Sequence, residues 1–303
     1  MVSSTAGTSA ATAGAAGTAA AGTNSMSTGG TGASAMAGTG GGTGATAGTG
    51  ATAGTGAAGG GAPAAMPKCL KKGSQVIIMG DTYVIWADGF IDALKQESGQ
   101  TYRNYALEGA GLGSVDMTLG PNLIPPEFDQ ALSVDPDIIA AIMIGGGTDI
   151  LLPDPKFGSM AADCKTDKGP TLAVCKEILD LAFDAGEKLY QKMADKGVGD
   201  VVLYFYPHVP KNTLIGGSNP NAILDYANPL AKEWCAGTEA KTGGKLRCHF
   251  VDLVPIFEGH MDWFNTADVH PNKMGSSAMA KAIVKVMKDK CIAQPASSGC
   301  CMQ

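Results

Sequence analysis

The chain reads as an α/β protein whose parallel sheet is covered by helices on both faces. Three observations predict this class. Short apolar runs end in glycine or proline, as strands buried on both faces do. Segments between them carry apolar residues at three- and four-residue steps, the mark of an amphipathic helix. The two kinds of segment alternate, which calls for right-handed crossovers between parallel strands.

Gln75 to Met79 is the first such run, closed by Gly80-Asp81. Tyr83, Trp86, Phe90, Ile91 and Leu94 then recur at helical spacing up to a glycine stop at Ser98-Gly99. Thr101 to Leu107 is a second strand candidate, followed by a loop through Gly109, Gly111 and Gly113 that is too glycine-rich for a helix, and by a stretch holding Pro121, Pro125 and Pro126. Asp137 to Ile144 is the clearest buried strand, interrupted by Gly145-Gly146-Gly147. Ile178, Leu181, Ala182, Ala185 and Leu189 mark a helix between Thr171 and Met193, and Val201 to Tyr206 is a strand ended by Pro207. Cys248 to Leu253 supplies a fifth strand, and Met279, Ala282, Ile283, Val286 and Met287 form one face of a closing helix.

Residues 1–66 are almost wholly Gly, Ala, Thr and Ser. Ordering such a segment costs about 1–2 kcal/mol per residue with no apolar surface to bury in return, so it is expected to be a disordered tether. Residues 67–303 are enough for one well-filled domain and short for two. The 22 basic and 28 acidic residues, a net charge of -6, provide no basic stripe to neutralise phosphates, which argues against a nucleic-acid partner. No apolar run approaches the roughly 20 residues of a membrane span.

The eight cysteines, Cys69, Cys164, Cys175, Cys235, Cys248, Cys291, Cys300 and Cys301, are even in number and contain no CxxC pair, and the four histidines are not at ligand spacing. Disulfides follow: Cys164 with Cys175, Cys235 with Cys248, and Cys69 with Cys291 tying the two ends of the domain. Disulfides and a long spacer suit an exported protein held off a cell surface. The start MVSSTAGTSA carries neither a basic n-region nor an apolar h-region, so no signal peptide is visible in it.

Ligands of open parallel sheets bind beyond the carboxyl ends of the strands. The loops to inspect are therefore Asp81-Thr82, Gly109, Gly146 to Asp149, Pro207-His208, and Asp268 to His270. Read in order, Gly80-Asp81-Thr82, Gly109, Gly146-Gly147-Thr148-Asp149 and Ala267-Asp268-Val269-His270-Pro271 resemble the four blocks of the SGNH (GDSL-type) hydrolases: G-D-S, a glycine, G-x-N-D and D-x-x-H-P. Each block is weak alone; four in order at successive strand ends, across the whole folded region, are specific. The resemblance implies a three-layer α/β/α, flavodoxin-like sheet of about five strands, and ester hydrolysis without a metal or organic cofactor. It assigns the nucleophile and one oxyanion N–H to Thr82, a second N–H to Gly109, a side-chain donor to Thr148 and the base to His270.

Three of the family's five catalytic positions are changed. Thr82 stands for serine, and its extra methyl stiffens χ1 and crowds the turn. Thr148 stands for asparagine; losing an oxyanion donor costs about 10²–10³ in rate, although a hydroxyl remains. Ala267 stands for the aspartate that orients the base, a loss worth roughly 10⁴ in a serine protease triad. Asp268 would replace it only if a local shift turned it toward His270, because one step along an extended loop reverses the side chain; otherwise it is solvated or caps the helix starting near Asn272.

Other polar residues have plainer readings. Asp81 braces its turn, Asp149 caps a helix or turn, and His208 either lines the site or bonds a loop. His249 and His260 have no supporting motif, and Trp86, Trp234 and Trp263 belong to core or cavity wall. Two functions remain: hydrolysis of a small ester or an acylated carbohydrate with impaired motifs, or noncatalytic binding of such a ligand at the cell surface. Neither the substrate nor the oligomeric state is legible.

Overall fold

The sheet is built from five short strands, of which the three central ones are buried on both faces. In chain order the elements are β1 (Val76–Met79), α1 (Thr82–Ile85), α2 (Phe90–Ser98), β2 (Arg103–Asn104), α3 (Ile124–Val134), β3 (Ala140–Met143), α4 (Gly147–Leu151), α5 (Ala173–Asp195), β4 (Asp200–Tyr204), α6 (Asn221–Lys241), β5 (Arg247–Val251), α7 (Val254–Phe257) and α8 (Lys273–Asp289). This computed structural model describes residues 67–113, 122–211 and 219–301. The expected tether and Pro121 lie outside the described residues. The described residues all fall within one unit, Ala58–Gln303.

All strand pairs are parallel, in the order β2-β1-β3-β4-β5. The pleat sends alternate residues to opposite faces. Val76, Ile78, Ala140, Ile142, Val202 and Tyr204 share one core with Phe90 and Leu94 of α2 and Met279, Ile283 and Met287 of α8. Ile77, Met79, Ala141, Met143, Val201 and Leu203 share the other with Phe128 of α3, Leu189 and Met193 of α5, and Trp234 of α6. The architecture is the three-layer α/β/α, flavodoxin-like one that the resemblance implies.

Several elements differ from their sequence reading. The helix expected from Tyr83 to Leu94 is two, because Gly89 takes a left-handed φ of 71° between α1 and α2. The second strand contracts to two residues at the sheet edge. Two of the longer helices were not legible. In α3 the prolines 125 and 126 occupy the first turn, where a missing N–H costs nothing. In α6, Pro229 lies inside a 21-residue helix and interrupts the pattern that marks one.

Four disulfides close the domain. Cys164–Cys175 and Cys235–Cys248 form as expected. The expected Cys69–Cys291 bond does not form: Cys69 joins Cys301 and Cys291 joins Cys300. After α8 the chain doubles back, so that Leu70 N–H donates to Gln294 at 2.9 Å and Leu70 bridges Pro295. That return carries Cys301, not Cys291, to Cys69. Among the described residues no helix is long and apolar enough to cross a membrane.

Candidate active site

Four chain segments meet here: those that follow β1, β3 and β4 at their carboxyl ends, the last carrying Tyr206 and Val209, and the loop before α8. The first turns at Gly80, whose φ of 148° and whose approach to Ile144 leave no room for a Cβ. Asp81 follows as the N-cap of α1, its Oδ1 accepting from Tyr83 N–H at 2.9 Å. Thr82 is then the first residue of α1, where an N–H has no intrahelical acceptor.

The second segment leaves β3 through Gly146, at φ 94°, into α4. Thr148 is buried there, and its hydroxyl donates to Asp81 Oδ2 at 3.2 Å. The same oxygen accepts a very short hydrogen bond from the Tyr206 hydroxyl, which in turn accepts from Gly147 N–H at 3.1 Å. A Cβ on Gly147 would lie 2.3 Å from the Tyr206 ring, so glycine is what lets this tyrosine in. Burial raises the Asp81 carboxyl above its ordinary range, and the Tyr206, Tyr83 and Thr148 bonds and the His270 charge oppose this in part. Burial likewise pushes the Tyr206 phenol up, with the Asp81 charge adding to it.

The fourth segment is the loop before α8. His270 is buried, and its Nδ1 lies 2.6 Å from Asp268 Oδ1. The reversal expected one step along an extended loop does not occur, because Ala267 takes a left-handed φ of 58°. That backbone turn swings Asp268 under the imidazole and leaves Nε2 as the free ring nitrogen. Such a conformation is uncommon for a residue with a Cβ; Cys291 and Ala293, away from the cavity, share it. Asn272 caps α8 immediately afterwards, accepting from Met274 and Gly275 N–H groups.

These segments and the start of α6 enclose a cavity of about 230 Å³. Asp81, Thr82, Tyr83, Gly147, Thr148, Tyr206 and His270 line it together with Trp86, Leu151, Leu152, Val209, Leu224 and Val269. Thr82 and His270 thus face one cavity, and no hydrogen bond joins them. Trp86 packs edge-on against His270 with ring centroids 4.9 Å apart, which makes it cavity wall.

Other candidates lie elsewhere. Gly109 is not among the residues lining the cavity, although it sits in the loop that follows β2. Asp149 lies within α4, and its oxygens accept from Leu112 N–H at 2.7 Å and Gly113 N–H at 2.8 Å, tying the glycine-rich loop to α4. His208 is paired with Asp225 at 2.6 Å outside the cavity. His249 bonds Asp200, and His260 stacks on Trp263. Trp234 stacks on Tyr190 in the core. Among the described residues no group of three or more His, Cys, Asp or Glu gathers as a metal site.

Two residues that matter here had no motif to reveal them. Tyr206 is the last residue of an apolar run, and only the sheet brings it to Asp81. Glu127 of α3 is wholly buried beneath the site, accepting from Gly80 N–H at 2.9 Å and Leu107 N–H at 3.1 Å. Burial pushes its carboxyl up to about 9 despite both bonds.

Among the solved structures similar to this chain are several described as esterases. A family two carbohydrate esterase from Clostridium thermocellum, in complex with cellohexaose, is 13% identical, with a TM-score of 0.47 over 75% of this chain and 66% of that one. A carbohydrate esterase family 2 enzyme with a carbohydrate-binding domain, from Corynascus thermopiles, is 18% identical, with a TM-score of 0.46 over 74% and 68%. A carbohydrate acetylesterase family member from Sinorhizobium meliloti is 11% identical, with a TM-score of 0.45 over 71% and 97%. No protein-family model and no curated protein matches the sequence.

Proposed function

We propose that this domain is an SGNH-type ester hydrolase of impaired efficiency, with Thr82 as nucleophile, His270 as general base and Asp268 as the group that orients it. The observation that carries the reading is the 2.6 Å contact between Asp268 and His270 Nδ1, which leaves Nε2 to the cavity that Thr82 also lines. In this scheme Thr82 Oγ1 attacks the ester carbonyl carbon while its proton passes to Nε2. The tetrahedral oxyanion accepts from Thr82 N–H. Collapse expels the alcohol, which takes the proton from Nε2, and water then hydrolyses the acyl-threonine with the same base.

Asp268 in this role supplies what Ala267 lacks. Two departures keep the rate low: the methyl of Thr82, and the engagement of the Thr148 hydroxyl with Asp81, which must break before Thr148 can serve the oxyanion. Gly109 contributes a donor only if its loop moves. The substrate is a small ester or an acylated carbohydrate. Four disulfides and the composition of residues 1–66 support an exported domain on a surface tether.

The test is turnover of vinyl acetate by the purified protein beside Thr82→Ala, His270→Ala and Thr82→Ser. Slow turnover that vanishes in both alanine variants and rises in the serine variant is expected; activity surviving both alanine changes would overturn the reading. Two observations favour a noncatalytic binding module instead: Thr148 is engaged by Asp81, and no hydrogen bond links Thr82 to His270. That alternative predicts binding of an acylated ligand with no product released.

A further inference from the structure

The cavity has few polar groups left to offer a ligand. Asp81 Oδ1 is taken by Tyr83 N–H, and Oδ2 by the hydroxyls of Tyr206 and Thr148. The Tyr206 oxygen accepts from Gly147 N–H, and His270 Nδ1 is paired with Asp268. What remains is the Thr82 hydroxyl, His270 Nε2, the Thr82 N–H, the Trp86 indole N–H and the Tyr83 hydroxyl, which is buried with no partner. The first two are the groups that acyl transfer consumes. A sugar ring seated here would find few partners for the hydroxyls turned toward the apolar wall, each one left unsatisfied lowering affinity about five- to a hundredfold.

The rest of the wall is apolar: Leu151 and Leu152 at the end of α4, Val209 after β4, Leu224 on α6 and Val269 beside His270, with Trp86 at the solvent edge. An apolar cavity of about 150 Å³ holds benzene, so one of about 230 Å³ holds a larger hydrocarbon group. We infer that the ester this site takes carries an aliphatic or aryl group of about six to nine carbons, seated against these five side chains. The inference rests on the hydrolase reading and names its substrate class. The group can belong to the acid or to the alcohol, since the same wall would receive either.

The experiment measures kcat/KM for ethyl acetate, ethyl octanoate, octyl acetate and acetylated xylan, with octanamide and acetamide titrated by calorimetry as uncleaved ligands. Burying a methylene is worth about fourfold, so at least one of the two eight-carbon esters should exceed ethyl acetate a hundredfold or more. Ethyl octanoate in front assigns the group to the acid, and octyl acetate in front to the alcohol. Leu152→Trp, at a half-buried position, should fill the space and cut that preference at least tenfold; Leu151→Ala should lower it through lost contact should the larger residue prevent folding. Octanamide binding a hundredfold tighter than acetamide with no ester cleaved would uphold the apolar seat and defeat the hydrolase reading on which its role in an ester substrate rests. Cleavage with no chain-length preference, or with acetylated xylan ahead, would overturn the inference and leave the hydrolase reading standing.

Discussion

Replacing Asp268 by asparagine tests whether the residue beside the family's acid position has taken over its work. The carboxylate lies 2.6 Å from His270 Nδ1, with the imidazole side chain 4% exposed and the carboxylate 24% exposed. With charge centres about 4 Å apart and an effective dielectric of about 20, the attraction between carboxylate and imidazolium is about 4 kcal/mol. General-base catalysis places that charge on the ring in the transition state, so the loss falls on kcat, by about a thousandfold. The assay is steady-state hydrolysis of vinyl acetate by wild type, Asp268→Asn, and the double variant Ala267→Asp with Asp268→Ala. Both variants should be crippled, because residue 267 sits in the left-handed turn that delivers residue 268 to the ring. Asp268→Asn keeping more than a tenth of kcat, or the double variant regaining wild-type rates, would refute the assignment.

Three further outcomes follow from the packing around the site. Glu127 titrates near 9 when folded against 4.5 for an ordinary glutamate, so the native state holds an extra proton between those values and stability must fall as pH rises through that window. The slope from this group is at most about 1.4 kcal/mol per pH unit. Glu127→Gln should flatten it in denaturant titrations from pH 5 to 9, while losing about 1–3 kcal/mol at pH 5 because an amide cannot accept from both N–H groups; an unchanged slope would count against the buried carboxyl as its source. Gly147→Ala places a methyl against the Tyr206 ring and should cost about 1–3 kcal/mol, read as a lower Tm, whereas an unaltered Tm would mean the ring yields freely. Removing the Cys69–Cys301 link by changing both residues to serine opens a loop of 232 residues and should cost about 2–5 kcal/mol, with equal denaturation midpoints as the contrary result.

Much of the fold was readable because buried parallel strands announce themselves. Val76–Met79 and Ala140–Met143 lie inside continuous apolar runs, and their short length and glycine exits favour a buried strand over a helix. The helices α3 and α6 were hidden because proline weakens the helical signal, while its actual cost depends on position and on packing that sequence spacing does not reveal. The disulfides divide in the same way. Pairs closing loops of 11 and 13 residues were apparent, whereas the partner of Cys69 depended on where the chain after α8 turned.

The amino-acid sequence alone determined the α/β class, the order of the loops that meet at the site, and the residue types at Thr82, Thr148, Ala267 and His270. Only the folded structure decided what those residues do to one another. One backbone angle at Ala267 sends Asp268 to the imidazole, and the closeness of β1, β3 and β4 turns Thr148 and Tyr206 onto Asp81. Side-chain direction in a loop depends on φ and on neighbours distant in the chain, and neither is carried by the spacing of letters.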